Sequence, residues 1–162
     1  NRIYKLTMKG IKTFSPSLKS INASYGIVFT AWNEEIVGSL LENSKEELLS
    51  LGVKEENITL VEVPGAFEIP LAAKVLASTS VDAVIALGAI IKGDTPHFDF
   101  IASSCTEGIL QASLELKKPI IFGVLTTNTE EQALQRSDVD RENKGAEFAQ
   151  GAMQMIEALS DI

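Results

Sequence analysis

Cysteine, histidine and tryptophan each occur once in this chain, so no intrachain disulfide can form. The lone Cys105 lies on an apolar helical stripe and reads as a buried thiol, which fits a reducing compartment. One histidine and one cysteine make no zinc set. No Gly-x-Gly-x-x-Gly turn and no Gly-x-x-x-x-Gly-Lys-Ser/Thr loop is present, which argues against dinucleotide and P-loop nucleotide binding. A Gly-x-Ser-x-Gly elbow is absent as well. No apolar run approaches the roughly 20 residues of a membrane span. The net charge of −8 argues against nucleic acid as a partner.

What is present is 162 residues with 45% hydrophobic and 22% charged content, enough for one domain with a proper core. The charge is uneven. Residues 1–21 carry Arg2, Lys5, Lys9, Lys12 and Lys19 and no acid, so removing that +5 from −8 leaves −13 on the remainder. A basic, serine-containing, acid-free start fits either the remnant of a transit peptide or an arm that docks on a neighbouring subunit. The alternation of Ile3 to Met8 favours the arm, as a strand paired with a neighbour. The expected organisation is an N-terminal arm, 1–21, and one α/β domain, 22–162. A cytoplasmic location is expected, or a plastid if a transit peptide was removed.

No repeat, low-complexity tract or linker interrupts the domain. Ser24–Thr30, Ile58–Val63, Ala83–Ile91 and Pro119–Leu125 read as strands. Between and after them, helices are expected over Glu34–Leu51, Phe67–Ala77, Thr129–Arg136 and Asn143–Leu159, with Gly52 as a C′ stop. A further helix follows the third strand, its stripe formed by Phe98, Ile101, Ala102, Cys105, Ile109, Ala112 and Leu116. Val37, Leu40, Leu41 and Leu48 are expected to face the core, as are Ala149, Ala152, Met153, Ile156 and Leu159. This alternation predicts a three-layer α/β/α fold around a flavodoxin-like, four-stranded parallel sheet.

Ligands of such sheets bind beyond the carboxyl ends of the strands. The unusual residues gather there: Ala31-Trp32-Asn33, Pro64 to Glu68, Lys92 to His97, and Phe122 to Thr127. Gly93-Asp94-Thr95-Pro96-His97 is the most informative stretch. Thr95 suits an N-cap and Pro96 a first helical residue, so free N–H groups and the helix dipole would attract a phosphate. His97, one residue inside the helix, could move protons near neutral pH. The plain alternative is an ordinary βα turn with a surface histidine. Asp94 opposes an anion, so its side chain is expected to point away. Trp32 and Phe67 could form a slot for a flat heterocycle, or pack at the top of the sheet. Asn33 and Glu68 could bond a polyol, or serve as helix-start residues. Arg136 and Lys144 fit an anion, or are simply solvated.

The segments Val63-Pro-Gly-Ala-Phe-Glu-Ile-Pro70, Gly88-Ala-Ile-Ile-Lys-Gly-Asp-Thr-Pro-His-Phe-Asp99, Phe122-Gly-Val-Leu-Thr-Thr127 with Glu131-Gln-Ala133, and Asn143-Lys-Gly145 closely resemble the 6,7-dimethyl-8-ribityllumazine synthase family. They run in order from about Tyr25 to Leu159. The resemblance implies a transferase at the penultimate step of riboflavin biosynthesis. There, 5-amino-6-(ribitylamino)uracil condenses with 3,4-dihydroxy-2-butanone 4-phosphate. An imine forms, phosphate and water leave, and ring closure gives the lumazine, without metal or organic cofactor.

By the same resemblance Trp32 stacks on the pyrimidine, and Asn33, Ala66 and Glu68, with Phe67 beside them, hold the ribityl chain. Ile90 and Ile91 line the heterocycle pocket, and Lys92 and Gly93 complete the substrate-binding set. Asp94, through its backbone, and Thr95 form the phosphate turn, Arg136 pairs with the phosphate, and His97 transfers protons. Phe122, Arg136 and Lys144 match positions that family members supply from the adjacent subunit. A homo-pentamer is implied, with an icosahedral capsid of 60 subunits as the larger assembly and riboflavin synthase as an associating partner.

Two departures stand out. Many family members have phenylalanine where Trp32 stands, and the larger indole is expected to strengthen flavin or lumazine binding. The family's glycine-containing kink between the last two helices is here Ser137-Asp-Val-Asp-Arg-Glu142, without glycine or proline. Its length is that of shell-forming members. Two further readings share the topology: a non-catalytic flavin-binding or shell-forming protein, and an FMN-binding or signalling module. The latter leaves Arg136 and Lys144 unexplained.

Overall fold

A computed structural model describes residues 5–6 and 12–162. The arm strand expected at Ile3 to Met8 lies largely outside the described residues. Its described part, β1 (Lys5–Leu6), pairs antiparallel with β2 (Lys12–Thr13) of the same chain. A helical turn, α1 (Leu18–Ile21), leads into the domain.

The domain runs β3 (Tyr25–Thr30), α2 (Glu34–Ser50), β4 (Ile58–Val63), α3 (Ile69–Ala77), β5 (Ala83–Ile91), α4 (His97–Leu116), β6 (Ile120–Thr127), α5 (Glu130–Ser137) and α6 (Lys144–Ser160). The sheet order is β4-β3-β5-β6 and every pairing is parallel, as the alternation predicted. β5 shows why the sheet needs helices on both faces. Ile85, Leu87 and Ala89 enter one core, with Val37 and Leu40 of α2, Ala133 of α5 and Met153 of α6. Val84, Ala86 and Ile90 enter the other, with Ile69 and Ala73 of α3 and Cys105 and Ile109 of α4. Period-two alternation in a strand that is apolar throughout serves two cores at once. The chain first steps from β3 to β4, then returns past β3 to β5, which leaves a crevice where the winding reverses.

The element ends needed correction where pairing or capping outweighs hydrophobicity. β6 continues past Leu125 because Thr126 and Thr127 still pair with Ile90 and Ile91. α3 begins at Ile69, with Pro70 in its first turn, and Ala66–Glu68 forms a separate 3-10 turn. Gly52 closes α2 as expected, at φ +104. Leu159 is 42% exposed instead of inward, whereas Ala149, Ala152 and Met153 are fully buried.

One buried charge escaped the sequence reading. Glu157 of α6 is 6% exposed and accepts from the Ser20 hydroxyl at 2.7 Å and from the Ser17 N–H. The carboxylate thereby ties α1 to the last helix. Tyr25, fully buried, donates its hydroxyl to the Ser20 carbonyl at 2.6 Å. Burial raises the phenol's pKa well above its ordinary value, helped by the charges of Asp82 and Glu157.

Cys105 is fully buried, and burial pushes its thiol from an ordinary 9.0 up to about 11. A shift of that size leaves about 100-fold less thiolate at pH 8 than a free cysteine has. Iodoacetamide at pH 8 is therefore expected to leave the native protein unmodified over a time that fully alkylates the denatured chain, read by mass. Rapid native alkylation would contradict it. Because the folded-state pKa is raised, the protonated thiol favours the fold below about pH 9. That contribution is lost as the pH rises toward 11.

Candidate active site

Three of the four rim loops converge on one cleft at the carboxyl ends of β3, β4 and β5. After β3 the chain turns sharply at Asn33, which takes a left-handed backbone (φ 57, ψ 53). Asparagine tolerates that conformation better than most residues. Its side chain does not cap α2; instead Nδ2 donates to the Ala89 carbonyl at 3.2 Å, pinning this loop to β5. The Ala31 N–H donates to the Val63 carbonyl at 2.9 Å and pins the same loop to β4. Trp32, held between these anchors, is 72% exposed, and Phe67 on the 3-10 turn is 62% exposed. Two large aromatics left in the open beside a crevice form a better platform for a flat ligand than a lid on the core.

After β5 the ladder is extended by the Lys92 N–H donating to the Thr127 carbonyl at 2.9 Å. The turn Gly93 to Pro96 follows. α4 opens one residue later than the sequence suggested, with Pro96 at the cap and His97 as the first helical residue. The Pro96 carbonyl accepts from the N–H groups of Asp99 and Phe100 at 3.0 and 3.3 Å, while Thr95 makes no capping bond. The free end of this 20-residue helix thus faces the rim, where its dipole favours an anion.

The cleft has a volume of about 600 Å³. Ten of the expected residues line it: Trp32, Asn33, Ala66, Phe67, Glu68, Ile90, Ile91, Gly93, Thr95 and His97. Thr30, Gly65, Ala89, Phe98 and Ile101 line it too and had not been named as site residues. Phe98 and Ile101 carried a signal, since their stripe continues to the helix start, but periodicity cannot separate a core position from a cleft wall. Lys92, just past the end of β5, and Asp94, in the turn, lie outside the lining, and so do three residues on distant elements.

Those three are Phe122, Arg136 and Lys144. Phe122 pairs with Ala86 in mid-sheet, whereas the rim is at Thr127 and Ile91. Five residues of strand amount to roughly 16 Å. Arg136 lies in the last turn of α5 and donates Nη1 to the Gln132 carbonyl at 2.9 Å. Lys144 opens α6 and pairs with Glu147 at 2.9 Å. The Asn143 before it takes the left-handed conformation (φ 44), which asparagine tolerates, and makes the sharp turn into α6. The cleft of one subunit therefore holds Glu68 and His97 but neither arginine nor lysine. Among the described residues, no group of three or more His, Cys, Asp or Glu is placed to hold a metal ion. No described helix is long and apolar enough to cross a membrane.

A family model described as 6,7-dimethyl-8-ribityllumazine synthase matches residues 22–160. A protein of Protochlamydia amoebophila (strain UWE25) named 6,7-dimethyl-8-ribityllumazine synthase is 49% identical over 148 residues, which is 91% of this chain and 86% of that one. With its parallel sheet and rim cleft, this chain belongs to the 6,7-dimethyl-8-ribityllumazine synthase family, transferases of riboflavin biosynthesis.

Proposed function

We propose that the rim cleft is where 5-amino-6-(ribitylamino)uracil and 3,4-dihydroxy-2-butanone 4-phosphate condense to 6,7-dimethyl-8-ribityllumazine, and that a neighbouring copy completes it. The observation that carries this reading is the mismatch between the cleft and its charge. The cleft offers aromatic walls, a carboxylate and an imidazole, but its arginine and lysine lie on other elements. A phosphorylated substrate is best held by a cation, and among the described residues none lines the cleft, so a neighbouring subunit is the proposed source.

In this reading the pyrimidine ring stacks on Trp32, and Asn33 and Glu68 bond the ribityl hydroxyls. Ile90 and Ile91 back the heterocycle, and the turn Gly93 to Thr95 holds the phosphate with the neighbour's counterpart of Arg136. The amine attacks the ketone and loses water to give the imine. His97 accepts and returns protons as phosphate leaves and the ribitylamino nitrogen closes the ring on the second carbonyl, releasing a second water. Orientation of two substrates supplies much of the rate, and the paired phosphate is a better leaving group.

The outer surface suits an assembly. Leu71 and Val75 of α3 and Phe100, Leu110 and Leu114 of α4 are each at least 58% exposed. So many large apolar groups on one helical layer call for a covering partner. A homo-pentamer is the proposed unit, with the 60-subunit capsid as its further assembly.

The test is an optical assay for lumazine absorbance and fluorescence, with released phosphate measured in parallel. Product above the uncatalysed rate is expected. A well-folded oligomer with no enhancement would shift the weight to a binding or shell role. His97→Ala is expected to lower kcat by about 100-fold with a much smaller change in either KM. An unchanged kcat removes His97 from the mechanism.

A further inference from the structure

Gly65 has no explanation within its own subunit. Its backbone is extended (φ −156, ψ 178), a conformation open to any residue. A Cβ placed there would meet Glu68 Oε2 at 3.3 Å and Trp32 Cδ1 at 3.7 Å, both on rotatable side chains. The contrast is Gly123, whose Cβ would lie 2.7 Å from the backbone oxygen of Ala86. Gly65 nevertheless lines the cleft, and its missing side chain opens the gap between the indole and the carboxylate.

We propose that Gly65 is a specificity-determining contact, where the substrate comes against the main chain and occupies the volume a side chain would fill. Glycine required by neither backbone angle nor packing marks the close approach of a ligand or another backbone. The proposal rests on the reading of the cleft above and refines it. With the ring on Trp32 and the polyol on Glu68, the group lying between them is the first ribityl carbon, bonded to the pyrimidine amine. A methyl at position 65 removes room at that junction. The phosphate turn and His97 follow β5 instead of β4 and are left as they were.

The experiment is steady-state kinetics of assembled Gly65→Ala, with each substrate varied in turn, and titration of the fluorescence of Trp32, the single tryptophan of the chain. The KM for 5-amino-6-(ribitylamino)uracil is expected to rise by about 10–100-fold, the usual effect of one excess methyl-sized group in a binding pocket. The fluorescence titration should shift by the same factor. The kcat and the KM for the butanone phosphate should stay within about twofold. 5,6-Diaminouracil, which lacks the ribityl chain, should quench both proteins alike. The effect should persist in a Glu68→Ala background, since a contact made by the ligand does not act through that carboxylate.

An unchanged pyrimidine KM overturns the proposal, as does an effect that vanishes with Glu68→Ala. A changed oligomer size at unchanged KM also overturns it, by assigning the glycine to a subunit contact. Should Gly65→Ala fail to assemble, the ligand carries the test. A pyrimidine amine with a methyl branch on its first ribityl carbon fills the same volume and should bind the unaltered protein more weakly by a similar factor; equal binding overturns the proposal. Absence of lumazine formation by the unaltered protein sinks the functional reading instead, so the two failures are distinct.

Discussion

Arg136→Ala is expected to lower kcat/KM for the butanone phosphate by about 1,000-fold, the scale on which a fixed donor to a developing oxyanion acts. The KM for the pyrimidine should move far less, because that substrate carries no phosphate. In its own subunit Arg136 uses Nη1 on the Gln132 carbonyl and makes no ion pair among the described residues. The rest of its five-donor fork is free to take a phosphate bidentately. Arg141, five residues on, is paired with Glu131 at 2.8 Å and is not expected to substitute.

Mixing subunits makes the test sharper. Arg136→Ala and His97→Ala chains are each expected to be nearly inactive. Assembled together at random, a site is intact when an unaltered cleft meets an unaltered arginine, which is about a quarter of all interfaces in a closed ring. Recovery to that fraction of wild-type activity is the expected result. A mixture no better than its components would place arginine and histidine in one subunit, against the geometry of α5 and the rim.

The second large effect is on stability. Gly145→Val is expected to cost about 3 kcal/mol, at the upper end for overpacking a tight contact. The position is the second residue of α6, where that helix meets α2. A Cβ there would lie 2.7 Å from the Leu40 carbonyl oxygen and 2.9 Å from Asn43 Cβ. The oxygen is backbone and cannot swing aside, and the Gly145 carbonyl is itself held by the Ser44 hydroxyl at 2.8 Å. For a chain of this size the thermal midpoint should fall by about 6–12 °C, followed by circular dichroism. Gly151→Ala on the same helix is the control. Its Cβ would have Ile121 Cδ1 no nearer than 4.0 Å, so removing a mid-helix glycine should stabilise by about 1 kcal/mol. Equal melting of Gly145→Val and the unaltered protein would mean that the helices are not in the contact described. Activity should fall with stability in Gly145→Val, because Lys144 and the turn joining it to α5 depend on the same docking.

The strands and helices were readable because their periodicities are local. The short continuous apolar run from Ala83 to Ile91, bounded by polar turn residues, fits a strand covered on both faces, and the stripe from Phe98 to Ala112 fits one helix face. Element ends were less readable. Thr126 and Thr127 belong to β6 through pairing with β5, a property of two segments instead of one. Glu157 was missed for the same reason: a mid-helix glutamate looks solvated until the hydroxyl of Ser20 and the N–H of Ser17 are brought to it.

By itself the sequence determined the alternation of elements, the four parallel strands and the rim segments that carry chemistry. These follow from residue type and spacing along a single stretch of chain. Which rim residues share a cleft was decided only in three dimensions. Sheet order sets Trp32, Glu68 and His97 around one crevice, at the ends of three strands far apart in sequence. Strand register, in turn, withholds Phe122 from that rim, and Arg136 and Lys144 lie on the helices that follow the sheet edge. Spacing along the chain carries no information about that separation, because it depends on how strands are ordered and aligned once the chain has folded.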